Sequence, residues 1–168
     1  MAADWGFFRH ALDTLDASER ACLLARRRYD ARLRIGSHPY RIVAGEKYLL
    51  PICSLTLLGP GTSGRASLDV LVDTGATFSV FPNRAAEDVG LPLPRSPNFP
   101  LRFGSSVLPG RRTTAYVELD GRRFRTDVVF VERLLFRFAL LGRRGIFARF
   151  REVAFLERRP SPAVEFRR

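Results

Sequence analysis

The stretch "VLVDTGATFSVF", residues 70–81, decides how this chain is read. It begins as an apolar strand, breaks at Asp73-Thr74-Gly75-Ala76, and resumes as a second apolar strand that Pro82 stops. An unpaired carboxylate buried in such a run is strongly unfavourable. Either Asp73 sits in an exposed turn, or something uses it. Gly75 lets the backbone pass close to another chain or a substrate. Thr74 sets a hydroxyl beside the acid, able to lock the loop by hydrogen bonding. Apolar strands on both sides hold the turn rigid, which suits a preorganised acid better than a casual surface turn.

Outward from this segment the pattern is mainly β. A long strand is expected around Leu49 to Leu58, another over "ASLDVLV", and a short helix over "NRAAEDVGL", capped by Asn83 and ended near Gly90. "PLRFGSSVLPGRRTTAYVEL" carries strand-like flanks around a Gly/Ser/Pro tip. Asp120-Gly121 between "TAYVEL" and "FRTDVVFV" is a two-residue hairpin signal. "FALLG" is an apolar run, "RRGIFARF" a short helix, and "EVAFLERRPSPAVEFRR" a last hairpin. Upstream the pattern changes. "DWGFFRHALDTL" and "RACLLARRR" read as two short helices, the second preceded by a capping box of Asp16 and Glu19. "RYDARLRI" reads as a strand or as an extension of that helix, "GSHPYR" as a punctuated linker, and Ala44-Gly45 as a turn.

The bulk numbers bound the answer. A chain of 168 residues with 46% hydrophobic residues suits one domain with an extension and excludes global disorder. The net charge is +11, and Lys47 is the one lysine among 28 basic residues. The arginines are scattered as pairs and one triple, Arg26 to Arg28, with no basic run of five or more and no nucleic-acid motif. Composition bias explains them better than a nucleic-acid partner. Cys22 and Cys53 are too few for a disulfide framework. The N-terminus lacks a basic region and a long apolar region, so no secretory signal is expected, and "YLLPICSLTLLGP" is too short to span a bilayer. A cytoplasmic protein without a membrane partner is expected. His10 and His38 have no Cys or Asp at ligand spacing, so neither a metal nor another cofactor is expected.

"LDVLVDTGATFSVFP" resembles the active-site segment of retropepsin-like aspartic peptidases. The resemblance extends to "ALLGRRGIFARF", whose Leu140, Leu141, Gly142 and Arg143 match the family's second signature, an apolar pair, Gly and often Arg opening a C-terminal helix. Between the two, "FGSSVLPG" sits where the family places a flap, with Gly104, Ser105, Ser106, Val107 and Leu108 over the substrate. The match runs over about residues 48–156 in the right order. It implies a mainly β, retropepsin-like closed barrel with a short C-terminal helix over residues 37–168, preceded by a helical N-terminal extension over 1–36. It also implies the chemistry. Asp73 is the catalytic acid, and Thr74, Gly75 and Ala76 form its loop; Ala76 cannot donate the hydrogen bond that a serine there would. Two such aspartates share a proton and activate a water that attacks a peptide carbonyl. No second Asp-Thr/Ser-Gly occurs, so the pair requires a two-fold homodimer acting on a peptide or protein substrate. In retroviral relatives the arginine at Arg143 pairs with an acid four residues past the catalytic aspartate; here that position is Thr77. A non-catalytic dimerisation or peptide-binding module and a basic nucleic-acid-associated protein are the alternatives.

Overall fold

The runs "VLV", "SVF", "VVFV" and "ALL" are apolar without alternation, the pattern of strands covered on both faces. In a computed structural model of the chain, these runs, residues 70–72, 79–81, 128–131 and 139–141, lie in four strands of one 7-stranded sheet. The structure describes residues 16–22, 34–43, 47–62, 64–134, 137–157 and 161–168. The chain divides into two compact units, Met1–Arg34 and Ile35–Arg168. In the first, residues 17–22 are helical, and the expected capping box is present. The Glu19 N–H donates to Asp16 Oδ1 (2.8 Å) and the Asp16 N–H to Glu19 Oε2 (3.0 Å). The preceding expected helix and the Ala44-Gly45 turn lie outside the described residues.

Among the described residues, from Arg34 onward, the strands are β1 (Arg34–Pro39), β2 (Arg41–Ile42), β3 (Leu49–Leu50), β4 (Ile52–Leu58), β5 (Arg65–Val72), β6 (Ser79–Pro82), β7 (Phe99–Phe103), β8 (Ser106–Leu119), β9 (Arg122–Val131), β10 (Ala139–Leu141), β11 (Glu152–Leu156) and β12 (Ala163–Arg167). The large sheet runs β4-β5-β10-β6-β9-β8-β7, and β4 also pairs with β8. β1, β12 and β11 form a 3-stranded sheet, and β2 pairs with β3. One short helix, α1 (Asn83–Asp88), follows β6.

Alternate residues of the central strands feed two apolar clusters. Val70, Val72, Phe81, Val128, Phe130 and Leu141 enter the larger one, where the Phe81 and Phe130 rings meet edge to face at 5.9 Å. Leu71, Val80, Val129, Val131 and Leu140 enter the smaller one. Over these apolar runs both faces are therefore covered and need no polar alternation, while the first halves of β5 and β9 alternate exposed and half-buried residues. The smaller cluster lies beneath the loop that carries Asp73, because Ala76 and Phe78 pack against it.

Several expectations are corrected. The stretch "GSHP" is not a linker but part of β1, an edge strand of the small sheet, where glycine and Pro39 are tolerated. The strand expected over Leu49 to Leu58 breaks at Pro51, which has no N–H for a ladder; its carbonyl accepts the Val72 N–H at 2.9 Å. Asn83 does not cap α1. Pro82 is the N-cap, and the Asn83 amide Nδ2 donates to Glu132 Oε2 at 2.8 Å. The helix does end as expected, with the Gly90 N–H on the Glu87 carbonyl (3.0 Å) and the Leu91 N–H on the Ala86 carbonyl (2.8 Å). The expected C-terminal helix is a single 3-10 turn, Phe147–Arg149. Ile146 and Phe150 are buried on either side of it and β11 starts at Glu152, so no length remains for a helix. The Asp120-Gly121 turn forms as expected, both residues at positive φ (51° and 72°), closing the β8–β9 hairpin at Leu119 and Arg122.

Cys53 is buried in β4, and burial pushes its thiol up to about 12, whereas Cys22 is exposed. In the folded protein one thiol is expected to react with a disulfide reagent at neutral pH and the second only after denaturation. Titration of free thiols with and without guanidinium checks this; two fast-reacting thiols in the native state would show that β4 is not in the core.

Candidate active site

The site starts from a threading problem. β10 lies between β5 and β6, parallel to β5 and antiparallel to β6, although β5 and β6 are neighbours in sequence. The connection from β5 to β6 therefore arches over the end of β10, and the arch is Asp73 to Phe78. Backbone hydrogen bonds stitch arch to strand: the Asp73 N–H to the Leu141 carbonyl (3.0 Å), the Arg143 N–H to the Ala76 carbonyl (2.9 Å) and the Arg144 N–H to the Thr77 carbonyl (2.7 Å). The buried Ser79 hydroxyl accepts the Gly142 N–H at 3.1 Å. A side chain at Gly142 would run into the Phe78 backbone, so only glycine allows this approach.

The carboxylate of Asp73 is itself part of the arch. Its Oδ1 accepts the Gly75 N–H at 2.8 Å, and its backbone carbonyl accepts the Ala76 N–H at 3.3 Å. Asp73 is half-buried, and Thr74 and Gly75 are exposed. Asp73 lines a cleft of about 410 Å³, walled by the arch, by β7 and by Leu140 of β10. Among the described residues no three His, Cys, Asp or Glu side chains converge to hold a metal ion.

The sequence-predicted residues divide. Asp73, Gly75, Ala76, Leu140 and Gly104 line the cleft together. Leu141 is buried in the larger core and Gly142 forms the junction beneath the arch. Arg143 is exposed, and its backbone, rather than its side chain, meets the arch. The Thr74 hydroxyl makes no hydrogen bond among the described residues; the Asp73 carboxylate locks the loop instead. The Gly/Ser tip is a hairpin between β7 and β8, pairing Phe103 with Ser106. Ser105, Ser106 and Val107 are exposed, and Leu108 packs on the smaller core opposite Leu101. The cleft wall is β7, from Phe99 to Phe103, rather than the stretch 105–108.

Sequence reasoning missed an aromatic and guanidinium wall. Phe78 and Phe99 pack edge to face at 4.9 Å on one side of the cleft. The Arg112 guanidinium sits over both rings, 5.1 Å and 5.6 Å from their centroids, and Arg144 over Phe78 at 5.5 Å. Arg112 also donates to Asp127, whose other oxygen accepts the Thr114 hydroxyl at 3.1 Å. The Arg112 hydrogen bond, more than burial opposes, holds the Asp127 carboxyl below the usual carboxylate range. In sequence Arg112 is one of a scattered pair, and nothing local distinguishes it.

No protein-family model and no curated protein matches the chain. Solved structures do resemble it. A retropepsin-like aspartic protease from Rickettsia conorii aligns at a TM-score of 0.54 and 16% identity, over 78% of this chain and 98% of that one. An inhibitor-bound EIAV protease aligns at 0.45 and 18% identity, over 61% of this chain and 88% of that one. The Simian Foamy Virus (mac) protease aligns at 0.39 and 16% identity, over 60% and 97%. The Rickettsia likeness assigns the fold: this chain is mainly β and retropepsin-like in architecture.

Ser79→Ala would leave the Gly142 N–H buried without an acceptor and is expected to lower stability by about 1–3 kcal/mol. Gly142→Ala should cost more, because backbone rather than a side chain blocks the new methyl. Urea denaturation of both variants reads this, and an unaffected Gly142→Ala would refute the junction. Asp127 gives a pH signature. Its lowered value means its contribution is complete above the ordinary carboxylate range and is lost as pH falls through the folded value. The acid-side fall in urea midpoint should therefore flatten in Asp127→Asn; identical pH slopes in the two proteins would count against the pair.

Proposed function

We propose that the chain is an aspartic-type endopeptidase, hydrolysing peptide bonds on a retropepsin-like closed barrel. The observation that carries this reading is the setting of Asp73. One oxygen is held by the Gly75 N–H, the loop is pinned from below by β10, and the residue lines a cleft walled largely by apolar side chains. A carboxylate fixed in this way is preorganised for proton transfer rather than for stability. The single Asp-Thr-Gly-Ala in the sequence means that the second acid comes from a second copy, in a two-fold homodimer.

In the proposed mechanism the two Asp73 carboxyls share one proton, because like charges at that distance cannot both ionise. The ionised partner takes a proton from a water, which attacks the scissile carbonyl carbon. The protonated partner gives its proton to the carbonyl oxygen. Collapse of the tetrahedral diol breaks the C–N bond as the protonated carboxyl gives its proton to the departing amine and the ionised one takes a proton from a diol hydroxyl, which restores the shared proton. The backbone of Gly75 and Ala76 and the β7 wall position the peptide. Thr74, Leu140 to Arg143 and the Gly104 hairpin act as the supporting loop, the second signature and the cover. The proposed compartment is the cytoplasm, and no metal or cofactor takes part.

Asp73→Asn is expected to abolish peptide cleavage, a loss of at least about a thousandfold, while the fold and the sedimentation of a dimer are kept. Cleavage of a peptide library followed by mass spectrometry, beside sedimentation velocity, measures both. Full activity in Asp73→Asn, or in a protein that sediments only as monomer, would refute the mechanism. Peptide binding without cleavage by the wild type would identify a non-catalytic binding module instead.

A further inference from the structure

A second cleft of about 480 Å³ is lined by Thr114, Arg125, Asp127, Arg144 and Arg149 among others. It holds three arginines against one aspartate, an excess of two positive charges. The aspartate is already engaged by Arg112 and Thr114. Arg149 and Arg144 are oriented by contacts of their guanidinium groups. Arg149 Nη2 donates to the Arg125 carbonyl at 3.0 Å, and the Arg144 guanidinium sits over the Phe78 ring, 5.5 Å from its centroid. Phe78 belongs to the wall of the Asp73 cleft, so the two clefts meet at the Phe78 ring and the guanidinium upon it. Arg144 and Arg149 are exposed; Arg144 adds to the field that holds Asp127 ionised, but neither arginine makes a salt bridge among the described residues. Arg102 of β7 also lines the Asp73 cleft, exposed and without a salt bridge among the described residues.

From this placement we propose that the arginine-lined cleft is a specificity subsite for a carboxylate side chain of the peptide, so that the protein selects acidic segments flanking an apolar scissile pair. The inference rests on the reading that a peptide occupies the Asp73 cleft. A chain lying along β7 puts apolar side chains on Phe78 and Phe99. A glutamate or aspartate beyond them then reaches Arg144, with Arg149 and Arg125 behind it. Guanidinium groups suit this role, since they stack on a ring by one face and hydrogen-bond a carboxylate at the edge. A nucleic-acid backbone is the other polyanion such arginines could meet. The abutment of the charges on an apolar-walled cleft, rather than along a continuous basic stripe, favours the peptide.

The test uses fluorescent peptides with an apolar central pair, in which Glu, Gln or Lys is walked through the flanking positions. Cleavage is followed with the wild type, and binding with Asp73→Asn by anisotropy. At the best position Glu is expected to exceed Gln about fivefold in kcat/KM and in affinity at low salt, with the ratio shrinking as salt screens the pair. Arg144→Glu should invert the order in favour of Lys, and Arg144→Lys should keep it. Equal treatment of Glu and Gln peptides, or no peptide binding by Asp73→Asn, overturns the subsite while cleavage still judges the peptidase reading. Selective binding of Glu peptides with no cleavage overturns the peptidase reading and leaves the subsite. An oligouridylate that displaces the Glu peptide at lower concentration, with a steep salt dependence, assigns the arginines to nucleic acid and overturns the proposal.

Discussion

The site hangs on β10 lying between two strands that are consecutive in sequence. Ala139 to Leu141 pair with β5 along one edge and with β6 along the other, so the β5–β6 connection must cross over the strand end. That crossing turns a loop into a bracket. Its N–H and C=O groups, which an ordinary surface loop would give to water, are satisfied by Leu141, Arg143 and Arg144. The close approach works only because position 142 has no side chain and because Ser79 offers a buried acceptor. Asp73 is thereby held by backbone on both sides and by its own bond to Gly75. Residues 139–144 are distant in sequence from residues 70–81, so the bracket forms only when the chain has closed on itself.

The same crossing explains the hydrophobic pattern. Over residues 70–72, 79–81, 128–131 and 139–141, β5, β6, β9 and β10 divide their side chains between two clusters, whereas Arg65, Ser67 and Asp69 of β5 and Arg123 and Arg125 of β9 reach solvent. The larger cluster fills the interior and the smaller supports the arch through Ala76 and Phe78. Phe78 has two tasks. One face contributes to the cleft wall and the smaller core, and guanidinium groups of Arg112 and Arg144 lie within 5.5 Å of the ring centroid. Charge that looks indiscriminate in the composition is thus partly organised around the cleft, with Arg112 paired to Asp127 and the exposed Arg144 over Phe78.

Features governed by a few adjacent residues were legible. Asp120-Gly121 forced its hairpin because both residues take positive φ, and Asp16 with Glu19 formed a reciprocal cap because three residues separate them. The apolar strands 65–72 and 79–82 were equally plain. Features settled by distant partners were not. The "GSHP" stretch reads as a linker until β12 offers an edge to pair with. Asn83 reads as a cap until Glu132 competes for its amide. "RRGIFARF" reads as a helix until the burial of Ile146 and Phe150 and the start of β11 leave room for only one turn. In the candidate site the Asp73 loop and the Leu-Leu-Gly-Arg run were visible as separate motifs. That Gly104 faces the cleft while Ser105 to Val107 point to solvent depends on the register of β7 against β8.

By itself the sequence determined that the chain is mainly β, that an acid sits on a glycine-bearing break in an apolar strand, and that only one such motif is present. These are consequences of residue type and spacing over short range. The tertiary structure alone decided that β10 threads beneath the acid, that β7 rather than the hairpin tip walls the cleft, and that Arg112 and Arg144 gather on Phe78. Each of those depends on which strand edge finds which partner, and strand pairing is fixed by shape and hydrogen-bond closure across the whole domain rather than by any local signal.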